Sequence, residues 1–114
     1  KDVEGCVLST AFDREKASTE EAKKFLKAYT DEYKGEPSAL SALGYDSYLI
    51  AIDAIKRAGT TDSQKIRDAI AATKDLEAVT GKTTLDKNGD AIKAAVIKVV
   101  KDGKFKYLDF VDVK

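Results

Sequence analysis

Asp86, Asn88 and Asp90 place carboxylate and amide oxygens at alternate positions, as at the start of a calcium-binding loop. The match ends there. An EF-hand needs glycine at its sixth position and a bidentate glutamate at its twelfth, whereas here Gly89 is fourth and Ile97 twelfth; a tight polar turn accounts for the segment. Gly81-Lys82-Thr83 has the ending of a phosphate-binding loop, but Leu76 stands where that motif needs its first glycine, and strand-like residues follow instead of a helix. Glu20-Glu21 and Asp31-Glu32 are adjacent carboxylates on a helix surface, so they diverge instead of converging on one substrate atom. Histidine is absent, which removes the commonest general base, any Ser-His or Cys-His nucleophile pair and the most usual zinc ligand. No catalytic constellation, metal site or cofactor site survives this reading, and an enzyme is not expected.

The remaining pair is Tyr45-Asp46, near the start of a very apolar helix. A tyrosine and a carboxylate there could line a cleft and meet a zwitterionic ligand. Equally, Tyr45 could be core and Asp46 could satisfy neighbouring backbone. The helix itself, Ala39 to Ala58, has Ala, Leu, Ile or Tyr at thirteen of twenty positions, spread over several faces. That pattern predicts a central, largely buried helix, closed by Gly59, with Lys56 and Arg57 in the last turn where cations suit the helix dipole.

Around it, Val3 to Thr10 predicts a strand buried on both faces in a parallel or mixed sheet, with Cys6 an inert buried thiol. A strand of that kind starting so early suggests a chain that begins in mid-fold. After the polar link 11–17, Ser18 and Glu21 form a capping pair that opens an amphipathic helix. Ala22, Phe25, Leu26, Tyr29 and Tyr33 make its inner face, and Gly35 stops it. Thr61 and Gln64 open a third helix with Ile66, Ala69, Ile70 and Thr73 inward. Val79 to Leu85 is β-prone. Finally, Ala94 to Lys101 and Lys104 to Val113 flank Asp102-Gly103, the pair preferred in a type I′ hairpin, setting Val100 opposite Phe105, Ile97 opposite Leu108 and Lys101 opposite Lys104.

With 20 basic and 20 acidic residues the net charge is zero, so no field of one sign points to nucleic acid or an anionic membrane. No run approaches the ~18 apolar residues of a membrane span, and no basic-then-apolar leader is present. The single cysteine excludes an intrachain disulfide and leaves the redox compartment open.

Read in order, VEGCVLSTAFD, EPSA…GYD, IKRAG, IRDAIAAT and TG-x-TTLD-x-NGD-x-IK resemble the branched-chain amino acid (Leu/Ile/Val-type) periplasmic binding proteins of ABC importers over nearly the whole chain. The resemblance implies an α/β fold: the C-terminal third of a type I binding protein, two lobes joined by crossovers. It would have three helices, an N-terminal strand and a C-terminal hairpin, completed by the rest of the receptor or by dimerisation or strand exchange. Residues 1–11 and 93–114 would belong to one lobe and 12–92 to the other, with hinge crossings near Ala11 to Asp13 and Asp90 to Lys93. Tyr45 would be a cleft tyrosine touching the ligand, with Asp46 beside it and Phe12 a further cleft candidate. The main clamps on the ligand's α-carboxylate and α-amino group would lie in segments this chain lacks, and Cys6 replaces an expected aliphatic residue. The implied function is non-enzymatic capture of branched-chain or related amino acids outside the cytoplasm, in the periplasm or extracellularly, for delivery to an ABC permease. The alternative is a standalone lobe acting as an oligomerising module. Either way, the isolated chain is expected to form a homo-oligomer and to gain little stability from leucine, isoleucine or valine.

Overall fold

The computed structural model describes residues 2–113; Lys1 and Lys114 lie outside the described residues. The chain folds as mixed α/β, with three helices and two small antiparallel sheets. One sheet has the order β1-β5-β6 and the other β2-β3-β4.

The first sheet joins the two ends of the chain. β1 (Val7–Thr10) pairs antiparallel with β5 (Ala95–Lys101), from Val7↔Val99 to Thr10↔Val96. β6 (Lys104–Val111) covers the other edge of β5. The expected buried strand in a parallel or mixed sheet is therefore corrected: β1 is a short antiparallel edge strand with Val7 and Cys6 exposed. Its apolar run is not enclosed because only β5 flanks it. Just before the strand, Gly5, at φ +82°, still donates its N–H to Val100 O of β5 at 2.9 Å.

The hairpin from β5 to β6 follows its turn residues. Asp102 and Gly103 both have positive φ, 55° and 69°, as a type I′ turn requires. Val100 faces Phe105 and Lys101 faces Lys104, as the turn dictates. Farther out the register differs: Ile97 pairs with Asp109, not Leu108. A bulge between Ile97 and Lys98 leaves Leu108 as the extra residue on β6. Glu4 braces the turn by accepting from the backbone N–H of Asp102 (2.7 Å) and Gly103 (3.3 Å).

The helices begin and end at side chains that satisfy orphan backbone groups. α1 (Glu20–Tyr33) is capped by Thr19, not Ser18. The Thr19 hydroxyl accepts from Ala22 N at 3.0 Å and donates to Ala78 O at 2.8 Å, so it fastens the helix start to the second sheet. The helix ends one residue before Gly35, at Lys34 in the left-handed region. α2 (Ala39–Ala58) has the expected bounds, with Ser38 capping and Gly59 closing at φ 63°. α3 (Ser63–Ala71) is capped by Asp62, whose carboxylate accepts from Lys65 N at 2.9 Å, in place of the expected Thr61–Gln64 pair. Ile66, Ala69 and Ile70 are half-buried and Thr73 buried.

The expected deep burial of α2 does not occur within this chain. α3 and β2 pack on it, and its buried residues are Ala42, Asp46 and Ala54, while Leu40 is 78% exposed and Tyr48 56%. The β-prone stretch splits differently as well. β2 (Leu76–Ala78) pairs with β3 (Gly81–Leu85) through the two-residue connection Val79-Thr80, and β4 (Ala91–Ile92) lines the other side of β3. Between β3 and β4, Asp86 Oδ1 accepts from Asn88 N and Asp90 N, which makes the polar turn. The main core gathers Phe12, Ala22, Phe25, Ala42 and Val79, with Leu26, Tyr29 and Leu49 against it.

Candidate functional site

The elements fall into two contact groups, and the chain passes twice from one to the other. The heaviest contacts fall either within the sheet β1-β5-β6 or among the helices and the sheet β2-β3-β4. The chain crosses once between β1 and α1, through a 3₁₀ turn at Arg14–Lys16, and once between β4 and β5 at Lys93-Ala94. A cleft of about 560 Å³ is lined by both crossings, by the Val79-Thr80 turn and by Tyr107 and Phe110 of β6. A second, of about 420 Å³, lies between the first crossing, Pro37-Ala39 and the hairpin tip. Phe12 and Asp13 line both.

Phe12 is 6% exposed, and its ring packs edge-on to Phe25 at 6.4 Å between centroids. Phe25 in turn touches Tyr45 at 5.1 Å and Tyr29 at 5.7 Å. The two aromatic residues singled out from the sequence, Phe12 and Tyr45, are thus brought onto one buried ring, one from the crossing and one from α2. Tyr45 is 37% exposed, lines neither cleft, and has Tyr48 at 5.9 Å on its outer side. It offers solvent part of a ring whose inner face is fixed by packing.

Asp46, one residue on, points the other way. It is 2% exposed, and both oxygens are engaged: Oδ1 accepts from Val79 N (2.6 Å), and Oδ2 from Thr80 N (3.2 Å) and the Thr80 hydroxyl. The Lys93 ammonium lies 3.5 Å from Oδ2 and donates to Thr80 Oγ1 at 2.7 Å. A buried carboxylate needs such a full set of donors, because its desolvation otherwise exceeds what one partner returns. What the arrangement does is hold the tight turn of the second sheet against α2 and against the second crossing.

Asp13 repeats this at the first crossing. Buried, it caps the 3₁₀ turn by accepting from Glu15 N at 2.7 Å, and its Oδ2 lies 2.6 Å from the Lys98 ammonium of β5. Lys16 places its ammonium 4.9 Å from the centre of the Tyr107 ring, joining the same turn to β6. Sequence reasoning missed Asp13, Thr80, Lys93 and Lys98. Two signals were available: the aromatic-Asp dipeptide recurs, as Phe12-Asp13 and Tyr45-Asp46, and Lys98 interrupts an apolar strand as its only interior charge.

The sequence profile described as "Periplasmic binding protein" matches residues 1–104. Among solved structures, the chain is 40% identical to a leucine binding protein, LivK, of Thermotoga maritima, with a TM-score of 0.88 over 98% of this chain and 32% of that one. It is 35% identical to the branched-chain amino acid transporter substrate binding protein LivJ of Streptococcus pneumoniae, solved with isoleucine, with a TM-score of 0.80 over 92% of this chain and 30% of that one. An ABC transporter substrate-binding protein of Desulfitobacterium hafniense, solved with leucine, gives 25% identity and a TM-score of 0.79 over 93% and 32%. The chain spans about a third of the length of these structures. Matched over nearly all of its residues by one profile, and carrying part of the same fold, the chain belongs to the periplasmic binding protein family.

Proposed function

We propose that this chain is the C-terminal portion of an extracytoplasmic solute-binding protein, working in the periplasm or at the cell exterior, that captures a branched-chain or related amino acid and presents it to an ABC permease. It performs no catalysis. The observation that carries this reading is the double crossing between two bodies with Phe12 and Tyr45 packed on the single ring of Phe25 beside it. Residues 12–92 then contribute to one lobe and residues 1–11 and 93–114 to the other. Tyr45 meets the ligand with its open ring edge and hydroxyl, Phe12 supplies an apolar wall, and Asp46 acts indirectly by holding the turn and the crossing. Calorimetric titration of the full-length gene product with leucine, isoleucine and valine tests it. Micromolar or tighter binding of at least one is expected, and Tyr45→Ala should weaken it at least fivefold. No binding of any of the three, or an unaffected Tyr45→Ala, would refute the respective part.

A second reading concerns the 114 residues alone. Leu40, Tyr48, Phe105 and Phe110 are all more than half exposed, a density of large apolar side chains that soluble monomers rarely leave uncovered. Such a chain by itself self-associates and binds amino acid weakly. Light scattering should return a dimer or larger species, and a well-folded monomer would count against it. A ~10 μM site would add about 2.7 kcal/mol of stability at a hundredfold excess of ligand, so a clear thermal shift with millimolar leucine would overturn the weak-binding expectation.

A further inference from the structure

Both aromatic residues proposed to meet the ligand are followed by a buried aspartate, and each aspartate is matched by a lysine at or beyond a crossing. Asp13 pairs with Lys98 of β5, their side chains only 5% and 21% exposed. Asp46 pairs with Lys93 of the second crossing, at 3% and 13%. The other ion pairs among the described residues are much more open to water, their side chains one-third exposed or more, and four of the six join residues three or four apart on one helix. These two are therefore set apart by burial and by what they connect.

We propose that Asp13–Lys98, which ties the first crossing to β5, and Asp46–Lys93, which ties α2 to the second crossing, together fix how the sheet β1-β5-β6 sits on the helical body, and that Asp13 and Asp46 are thereby positioning residues for ligand capture. The proposal rests on the receptor reading above. A buried pair is a poor source of net stability, since well-packed apolar groups of similar volume often do as well. What it supplies is geometry. Each carboxylate is locked to backbone N–H groups of its own body, Glu15 N for Asp13 and Val79 N and Thr80 N for Asp46, and so presents a fixed anchor to a lysine arriving from the other strand or link. The two anchors lie at two separate passages of the chain, so together they restrict rotation about either one. The dihedral freedom they restrict is what closure of a two-body receptor uses. Phe12 and Tyr45 are covalently next to the anchors, so the ties also set the aim of both rings.

Loss of a tie lowers the fraction of molecules in the binding-competent arrangement, and the apparent dissociation constant rises in inverse proportion. A fall in that fraction from near one to about one tenth weakens capture about tenfold. The test uses the full-length gene product carrying Asp13→Asn with Lys98→Met, a pair of changes that strands no charge. Three quantities are read: the melting temperature, the leucine dissociation constant, and the distance distribution between spin labels on Cys6 and on Lys56→Cys, any cysteine outside this chain having been replaced. Expected is a melting temperature within a few degrees of the parent, a distribution at least half again as broad, and leucine binding weakened about tenfold, with Asp46→Asn plus Lys93→Met behaving alike. An unchanged distribution overturns the ties. A broadened distribution with unchanged leucine affinity overturns the positioning role. A parent protein that binds none of the three amino acids refutes the receptor reading and the role in capture with it, while the label distances still decide the ties.

Discussion

Asp46→Ala removes one carboxylate and leaves four donors behind: the N–H groups of Val79 and Thr80, the Thr80 hydroxyl and the Lys93 ammonium. Hydrogen bonds to a charged acceptor contribute about 1.5–3 kcal/mol each, and breaking a buried ion pair by removing one partner costs about 3–5 kcal/mol. These figures do not add, because a water can enter the vacated polar space and serve two or three of the donors. Lys93, with 13% of its side chain exposed, can also turn part of the way toward solvent. The net loss for Asp46→Ala is therefore about 3–5 kcal/mol, a large share of the ~5–15 kcal/mol that holds a domain together. Asp46→Asn keeps one oxygen for Val79 N but turns an amide donor toward the other donors, and should cost about 2–3 kcal/mol. Lys93→Met in the Asp46→Ala background removes the stranded ammonium and should recover about 1–2 kcal/mol, a coupling of the size seen between directly interacting groups. Urea unfolding of the 114-residue chain at one fixed protein concentration, followed by helical circular dichroism, measures the parent, these three variants and Lys93→Met alone. With a slope of about 2 kcal/mol per molar, the Asp46→Ala midpoint falls by about 2 M. A loss below 1 kcal/mol, or strict additivity of the two substitutions, would show that the cluster is wet and that its hydrogen bonds do not hold the turn.

Three further outcomes follow from local geometry. Thr19→Ala removes both the cap on Ala22 N and the bond to Ala78 O, and should cost about 1–2 kcal/mol; Thr19→Ser should recover most of it, and equal losses in the two variants would contradict the hydroxyl's role. Gly103→Ala places a Cβ at φ 69° in the type I′ turn and should cost about 1–2 kcal/mol by the same unfolding measurement, even though no atom lies within 4 Å of that Cβ. The hydrogen bond and charge of Lys23 hold the Glu20 carboxyl below its usual value. A carboxylate lowered in the folded state contributes stability above its unfolded pKa, and that contribution disappears as pH falls through the folded value. Lys23→Gln should move the Glu20 titration, followed by carboxyl-carbon NMR, back up; an unmoved midpoint would remove Lys23 as the cause.

What could be read from the sequence was whatever is decided within a few residues. The bounds of α2 rest on chemistry adjacent to its ends, and the hairpin turn on Asp102-Gly103, so both were legible. Ser18 against Thr19 was a choice between neighbouring hydroxyls, settled by Ala78 O, a partner 59 residues away. The strand β1 was misassigned for the same reason: a short apolar run does not state whether one neighbour or two will flank it, or in which direction. The pairing of Ile97 failed at a bulge that no turn rule announces. For the candidate site, Phe12 could be named at a crossing and Tyr45 on the apolar helix, both as cleft residues through the family resemblance, but not that they share Phe25. Asp46 could be weighed as a ligand contact or a backbone partner and Asp13 only as the edge of a crossing, because the burial of either carboxylate becomes visible only when its lysine, from 47 or 85 positions later, is in place. The apolar composition of α2 predicted burial, but it did not reveal that Leu40 and Tyr48 stay exposed within this chain.

The first sheet also sets a schedule for synthesis. Val7 leaves the ribosome 92 residues ahead of Val99, its partner across the ladder. At about 5–20 residues per second this is a wait of roughly 5–18 seconds, during which the helices between them have time to form. Of the two paired strands, β1 therefore waits for β5, and its unpaired edge, beside the exposed Val7 and Cys6, is what nascent-chain chaperones or a neighbouring polysome product would meet in the interval.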